Sequence, residues 1–346
     1  MYAPSKENSI SVSTTVPTTD GPQLIDNHGR VITYLRLAIT DRCNLRCSYC
    51  MPEQGVETVS HDETLSYEEL ERLVRLFLGM GIEKIRITGG EPFVRRGCMD
   101  FLERLKYELG VKRLVVTTNG VETAAYLKRL KALPISGINL SLDTLDPERF
   151  KTITRRDRLT DVLKTLYGAL ELGIPIKVNS VVSEQTSDAE IHQLGTLAHD
   201  NSLSMRFIEK MPFSGEKKVE PRVEYGLADR LAKLFPGLEQ RHTENGSTAR
   251  EFVIPGFKGS LGIIEGSSRN FCSTCNRVRI TPQGILKVCL YDNGVLDLKD
   301  CIRKGTTDQE LLNSIRGCLN RRFADGHQTE SANGNAEQPS MASIGG

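Results

Sequence analysis

Three cysteines at C-x3-C-x2-C spacing, Cys43, Cys47 and Cys50, directly follow an apolar, strand-like run at residues 31–40. Spacing this close lets one loop wrap three thiolates round a single inorganic centre. Structural zinc usually wants four ligands, often as paired C-x2-C units, and no histidine or fourth cysteine lies nearby. A disulfide framework needs oxidising conditions and usually a small chain. Three local thiolates suit a four-iron cluster with one iron left open, much as a catalytic zinc keeps an open position.

The chain around this loop is 346 residues long and 38% hydrophobic, enough to bury one large core or two smaller ones. A net charge of +1 with 26% charged residues carries no global signal for a nucleic-acid or membrane partner. No apolar run reaches spanning length, and the N-terminus lacks a signal-peptide core. Nine cysteines in two tight groups plus isolated ones point to a reducing compartment and metal binding, hence a soluble cytoplasmic protein. Residues 1–21, rich in Ser, Thr and Pro, read as a disordered leader. With no arginine and with Glu7 and Asp20, the leader does not resemble a transit peptide. The Gly- and Ser-rich residues 326–346 read as a flexible tail.

Between them, short β-like runs alternate with amphipathic stretches. Strands are expected at residues 31–40, 83–88, 113–117, 137–142, 175–182 and 204–209, with helices at about 66–80, 99–108, 122–132, 160–172 and 188–199. Ser66 and Glu69 form a capping-box signature for the first helix. Six strand–helix units predict an α/β fold with an open, partial (βα)6 TIM-type barrel over residues 22–240. A C-terminal α+β region is expected over residues 241–325. Side chains alternate with period two along a strand. One face therefore carries Arg36, Ala38 and Thr40; Lys84, Arg86 and Thr88; Val115, Thr117 and Asn119; Asn139, Ser141 and Asp143; Lys177 and Asn179; and Ser204 with Arg206. The opposite face carries Leu37, Ile39, Ile85, Ile87, Leu140, Leu142 and Val178. Barrel interiors are normally filled with branched apolar side chains, and unpaired buried cations are costly. The cations are either paired with carboxylates at the rim or they line a pocket for a large anion, which is the expectation here.

The second strand ends in Thr88-Gly89-Gly90-Glu91-Pro92, at the end where barrel enzymes keep their chemistry. Farther on, Cys272, Cys275 and Cys289 form a C-x2-C-x13-C set, and Arg277 and Arg279 alternate on a strand just after the pair. A second three-cysteine iron–sulfur cluster is expected there. Cys98, Cys301 and Cys318 read as small buried hydrophobes.

The first cysteine loop, with an aromatic before its third cysteine, and the following Gly-Gly-Glu-Pro together resemble the radical S-adenosylmethionine (SAM) enzymes. The two triads bracketing a six-unit barrel, the Cys275-Asn276-Arg277-Val278-Arg279 run and the terminal Gly345-Gly346 resemble one family within them, the MoaA family of GTP 3′,8-cyclases. The resemblance implies two [4Fe–4S] clusters, one on Cys43, Cys47 and Cys50 that binds SAM, and one on Cys272, Cys275 and Cys289 that binds guanine. It implies SAM contacts at Tyr49, Gly90, Ser141 and Met211. It implies GTP contacts at Arg36, Arg86, Thr117, Lys177, Arg277 and Arg279, with Lys84 and Arg206 in second rank. The Gly-Gly tail would reach into the site. It implies the first step of molybdenum cofactor biosynthesis: hydrogen abstraction from C3′ of GTP and closure onto C8 to give (8S)-3′,8-cyclo-7,8-dihydroguanosine 5′-triphosphate. A cyclic pyranopterin monophosphate synthase would take the product. An electron donor of the flavodoxin or ferredoxin type and a homodimer would complete the system. One departure is Glu265-Gly266-Ser267-Ser268, where a Pro-Met-Ser-like segment is expected.

A radical SAM enzyme acting on another anionic substrate would keep the first loop and lose the arginine pair. A zinc-bearing, non-catalytic module would explain the cysteines but not the polar strand face.

Overall fold

A computed structural model describes residues 23–55, 59–211, 226–242, 246–266, 268–333 and 340–345. The expected leader at 1–21 and Gly346 lie outside the described residues. Six strands form close to where the alternation puts them: β1 (Tyr34–Ala38), β2 (Lys84–Thr88), β3 (Arg113–Thr118), β4 (Gly137–Ser141), β5 (Ile176–Val182) and β6 (Ser204–Glu209). They pair in chain order and in parallel, with Arg36 opposite Arg86. Downstream come β7 (Glu239–Arg241), β8 (Arg250–Val253), β9 (Ser260–Ile264), β10 (Arg277–Ile280), β11 (Ile285–Lys287) and β12 (Leu296–Asp297). Two of these widen the expected barrel. β9 lies parallel to β6, and β10 lies parallel to β1 with Arg279 opposite Arg36. The sheet runs β12-β11-β10-β1-β2-β3-β4-β5-β6-β9-β8-β7, so β9 and β10 do not meet and the barrel stays open.

Helices follow the strands: α1 (Tyr67–Gly79), α2 (Cys98–Tyr107), α3 (Leu127–Ala132), α4 (Pro147–Thr154), α5 (Leu159–Glu171), α6 (Asp188–Asp200) and α7 (Leu227–Leu234). The Ser66 hydroxyl accepts from Glu69 N at 3.2 Å while Ser66 N donates to the Glu69 carboxylate at 2.7 Å, so two of the helix's otherwise orphaned donors are satisfied. The outward strand residues Leu35, Leu37, Ile85, Ile87, Leu140 and Val178 are fully buried under the helices in one continuous core. Burial of this apolar face leaves the polar face to the interior.

After the barrel come α8 (Leu298–Arg303), α9 (Asp308–Leu319), α10 (Gly326–Ala332) and α11 (Met341–Ile344). Within the expected flexible tail at 326–346, the described residues of the last two are helical instead, while 334–339 lie outside the described residues. Polar composition there serves specific hydrogen bonds: Asn333 Nδ2 donates to Tyr291 O at 2.5 Å, and the Ser340 hydroxyl donates to Cys50 O at 2.7 Å. Ala342 and Ile344 are buried. Among the described residues no helix is long and apolar enough to cross a membrane.

Candidate active site

Both cysteine triads face one cavity of about 310 Å³ at the mouth of the barrel, within the size range of small-molecule sites. The first triad sits on the loop leaving β1. Arg46 N and Ser48 N donate to Thr154 O and Ile153 O at the end of α4, at 3.0 and 2.9 Å. Arg155, held in left-handed backbone at φ 55°, donates to Arg46 O and Met51 O. Leu45 N and Asn119 Nδ2 approach Cys43 Sγ at 3.4 and 3.6 Å. Burial pushes the Cys47 thiol well up and the Cys50 thiol up to about 12, with Cys43 and Cys50 adding to the rise at Cys47 and Cys43 to that at Cys50. Three half-buried thiols held above their ordinary pKa therefore become thiolates only with a cationic centre between them.

The Gly89-Gly90 turn closes on this loop. Gly90 N donates to Thr40 O at 2.7 Å and Glu91 N to Arg42 O at 2.8 Å. The Glu91 carboxylate is buried and pushed up to about 7 by desolvation. It accepts from Asn119 N at 2.6 Å, Thr118 Oγ1 at 2.9 Å and Phe93 N at 3.1 Å, tying β2 to β3. Tyr49 donates its hydroxyl to Asp143 at 2.7 Å, and Val181 N binds the other oxygen of that carboxylate at 2.8 Å.

On the second triad the charge balance is opposite. Burial alone would raise the Cys275 thiol, but Arg277 and Arg322 outweigh it and pull it down to about 6. Burial pushes the Cys272 thiol up. Among the described residues no three His, Cys, Asp or Glu side chains converge tightly enough for a single metal ion. A four-iron cluster is wider than an ion and takes thiolates at separate corners. Each triad supplies three soft sulfur donors and so fits such a cluster.

Between the triads stand Arg36, Arg86, Arg277 and Arg279. None of the four has a carboxylate partner among the described residues, whereas Arg206 pairs with Glu251 at 2.7 Å. Burial and the neighbouring Arg86 pull Arg36 down to about 10, and burial with Arg36 and Arg277 pulls Arg279 well down. With its amide oxygen turned toward it, Asn139 accepts from Arg86 at 3.2 Å. Beneath them the buried Tyr34 hydroxyl and Arg36 Nε lack hydrogen-bond partners among the described residues. The Tyr34 ring lies 5.9 Å from the Arg36 guanidinium carbon, 5.5 Å from that of Arg86 and 4.5 Å from Lys84 Nζ. Although burial would raise the Tyr34 phenol, these cations pull it down to about 7.

The cavity wall thus brings together Tyr49, Gly90, Ser141, Met211, Arg36, Arg86, Thr117, Arg206, Arg277, Arg279 and all six cysteines. Lys177 and Lys84 are not part of it. Each stands two residues before a lining side chain, Asn179 and Arg86, and so points inward nearer the other end of the barrel; Lys177 is exposed there. Gly345 does not line the cavity but packs against Ala38 and Thr88, its carbonyl accepting from Arg279 at 3.1 Å. In the departing segment, Glu265 pairs with Arg250, and Gly266 packs so closely on Met211 that an added Cβ would stand 2.8 Å from its Cγ. Sequence reasoning missed Tyr34, which lies in phase with Arg36 and could have been found by the same alternation. It also missed Arg322, the second of an Arg321-Arg322 pair with no motif to mark it.

Residues 37–198 match the Radical SAM superfamily model and residues 203–328 the Molybdenum Cofactor Synthesis C model. The GTP 3′,8-cyclase of Geobacter sulfurreducens is 40% identical over 334 residues, covering 94% of this chain and 100% of that protein. The mitochondrial GTP 3′,8-cyclase of Arabidopsis thaliana is 41% identical over 306 residues, 87% of this chain and 78% of its own. Human molybdenum cofactor biosynthesis protein 1 is 43% identical over 302 residues, 86% of this chain but 48% of its own length. The chain spans about half the length of such animal relatives. Among solved structures, Streptococcus suis SuiB superposes with a TM-score of 0.56 at 16% identity, covering 84% of this chain and 69% of that one. That likeness bears on the fold alone. Radical SAM proteins use S-adenosylmethionine and a [4Fe–4S] cluster. At this identity over nearly its whole length, the chain belongs to the GTP 3′,8-cyclase family of the radical SAM superfamily.

Proposed function

We propose that the chain is a GTP 3′,8-cyclase, closing a bond between C3′ and C8 of GTP as the first step of molybdenum cofactor biosynthesis. One observation carries the reading: a single cavity has both cysteine triads in its wall and, between them, four arginines without described carboxylate partners. Desolvated cations held this close repel one another and favour a bound polyanion. A nucleoside triphosphate supplies that charge.

Cys43, Cys47 and Cys50 hold the SAM-binding cluster, with Tyr49, Gly90, Ser141 and Met211 against SAM. Cys272, Cys275 and Cys289 hold a second [4Fe–4S] cluster facing the guanine. When bound, SAM and its reduced cluster supply a 5′-deoxyadenosyl radical. The chain's own work is to hold the ribose with C3′ toward that radical and to keep water out. Arg36, Arg86, Thr117, Arg277 and Arg279 grip GTP through charge-assisted hydrogen bonds, with Arg206 in support. Lys84 and Lys177 extend the cationic lining toward the far end of the barrel. The segments 22–240 and 241–325 act as the barrel and the cluster-binding region of one site. A flavodoxin- or ferredoxin-type donor supplies the electron, a homodimer is the working form, and a cyclic pyranopterin monophosphate synthase consumes the product. Nine free cysteines suit a reducing, cytoplasmic setting.

Anaerobically reconstituted protein given SAM, dithionite and GTP is expected to form 5′-deoxyadenosine together with a product isomeric with GTP. Hydrogen leaves C3′, and one electron and one proton return to the cyclised nucleotide, so the mass is unchanged. SAM cleavage indifferent to GTP would instead point to another anionic substrate.

A further inference from the structure

The turn at Asp26 to Arg30 precedes both family matches and has no part in the proposed cyclase chemistry, yet it is tied to the second triad. Asp26 and Arg322 are almost fully buried, with side-chain exposures of 0% and 4%. Asp26 Oδ2 accepts from Arg30 Nε at 2.6 Å and from Arg322 Nη1 at 3.2 Å. Its other oxygen accepts from His28 N and Arg30 N, which shapes the turn. Arg30 then donates to Cys272 O at 2.9 Å, Ala324 O at 2.6 Å and Phe323 O at 3.0 Å. Arg322 donates to Cys275 O at 3.2 Å and, through Nη2, to Cys275 Sγ at 3.0 Å; His28 Nε2 lies 2.8 Å from Arg322 O. Arg277 Nε reaches the same sulfur at 3.4 Å.

Three chain segments far apart in sequence thus converge on one cysteine loop. A buried arginine held by a buried carboxylate is fixed in place, whereas a surface guanidinium would wander. Its fork spends one arm on the loop's backbone and one on the thiolate. Arg277 and Arg322 both line the cavity, but of the two only Arg322 pairs with a carboxylate among the described residues. Arg322 is braced from behind.

We propose that Arg322, oriented by Asp26, is a positioning residue of the second centre that sets its reduction potential through the hydrogen bond to the Cys275 sulfur. This rests on the second cluster of the proposed function. Hydrogen bonds and positive charge at cluster sulfurs stabilise the more negative, reduced state and raise the potential. Asp26 serves to aim the guanidinium and to balance Arg30.

The test is a redox titration followed by electron paramagnetic resonance on the reconstituted full chain, wild type against Arg322→Gln. The variant is expected to lower the reduced-to-oxidised ratio of the second cluster about tenfold at fixed potential, a shift of about 59 mV to more negative values for a one-electron couple. The first cluster should be unmoved. A second cluster present at full occupancy with unchanged potential would overturn the proposal. If the variant sheds its second cluster, wild-type protein with 15N-labelled arginine decides. Two arginine nitrogen couplings at the reduced second cluster support the assignment, and one or none overturns it. Wild-type protein with only about four irons would instead refute the two-cluster reading itself, a result separate from any of these.

Discussion

Replacing Arg36 with methionine will make the cluster-loaded, substrate-free protein more stable while weakening its hold on GTP. Most buried substitutions do the reverse. Arg36 is held below its ordinary pKa by burial and by Arg86, and among the described residues its Nε has no hydrogen-bond partner and no carboxylate pairs with it. Removing an uncompensated buried charge in favour of an apolar group of similar length should return about 1–3 kcal/mol. Loss of its contact with the Tyr34 ring offsets about 0.5–1 kcal/mol of that. A charge-assisted hydrogen bond to phosphate contributes about 1.5–3 kcal/mol, so KM for GTP should rise about tenfold to a hundredfold. Thermal unfolding with and without GTP reads both signs. A less stable empty variant with undiminished stabilisation by GTP would make Arg36 a structural residue and not a ligand for the anion.

Gly90→Ala will cost the first centre its irons and leave the second loaded. The backbone at Gly90 approaches the cysteine loop so closely that an added Cβ would lie 2.3 Å from Arg42 O, 2.6 Å from Arg42 C and 2.7 Å from Asp41 O. These are main-chain atoms two residues or fewer from Cys43, and they cannot rotate away. Overpacking of this kind costs about 1–3 kcal/mol or more, and here the strain falls on the loop that carries the triad. Iron analysis should show about half the wild-type content. Gly317→Ala in α9, where an added Cβ meets nothing within 4 Å, is the control and should gain about 0.5–1 kcal/mol. Full iron in Gly90→Ala would mean that the loop tolerates displacement.

The parallel barrel was legible because β1, β2 and β4 alternate cleanly, with Leu and Ile outward and Arg, Asn and Thr inward, and period two is a local property. The same alternation exposed Arg36, Arg86, Thr117, Ser141 and Arg206. It could not rank them by depth, and so Lys177 and Lys84 were grouped with residues that they stand below. The β6–β9 pairing and the closing helices α10 and α11 were not legible, because they depend on contacts made only after the chain has folded. Helix α4 was missed although Asp146 followed by Pro147 is a readable start: the Asp146 side chain accepts from Arg149 N at 2.6 Å, and Pro147 occupies the first turn. The clamp of Asp26, Arg30 and Arg322 joins residues nearly the whole chain apart and leaves no local signal.

The most direct test of the proposed function is the fate of one hydrogen. GTP carrying deuterium at C3′, incubated anaerobically with the reconstituted protein, SAM and dithionite, should yield 5′-deoxyadenosine bearing that deuterium. Unlabelled 5′-deoxyadenosine formed alongside untouched GTP would contradict the assignment of this cavity to C3′ of GTP.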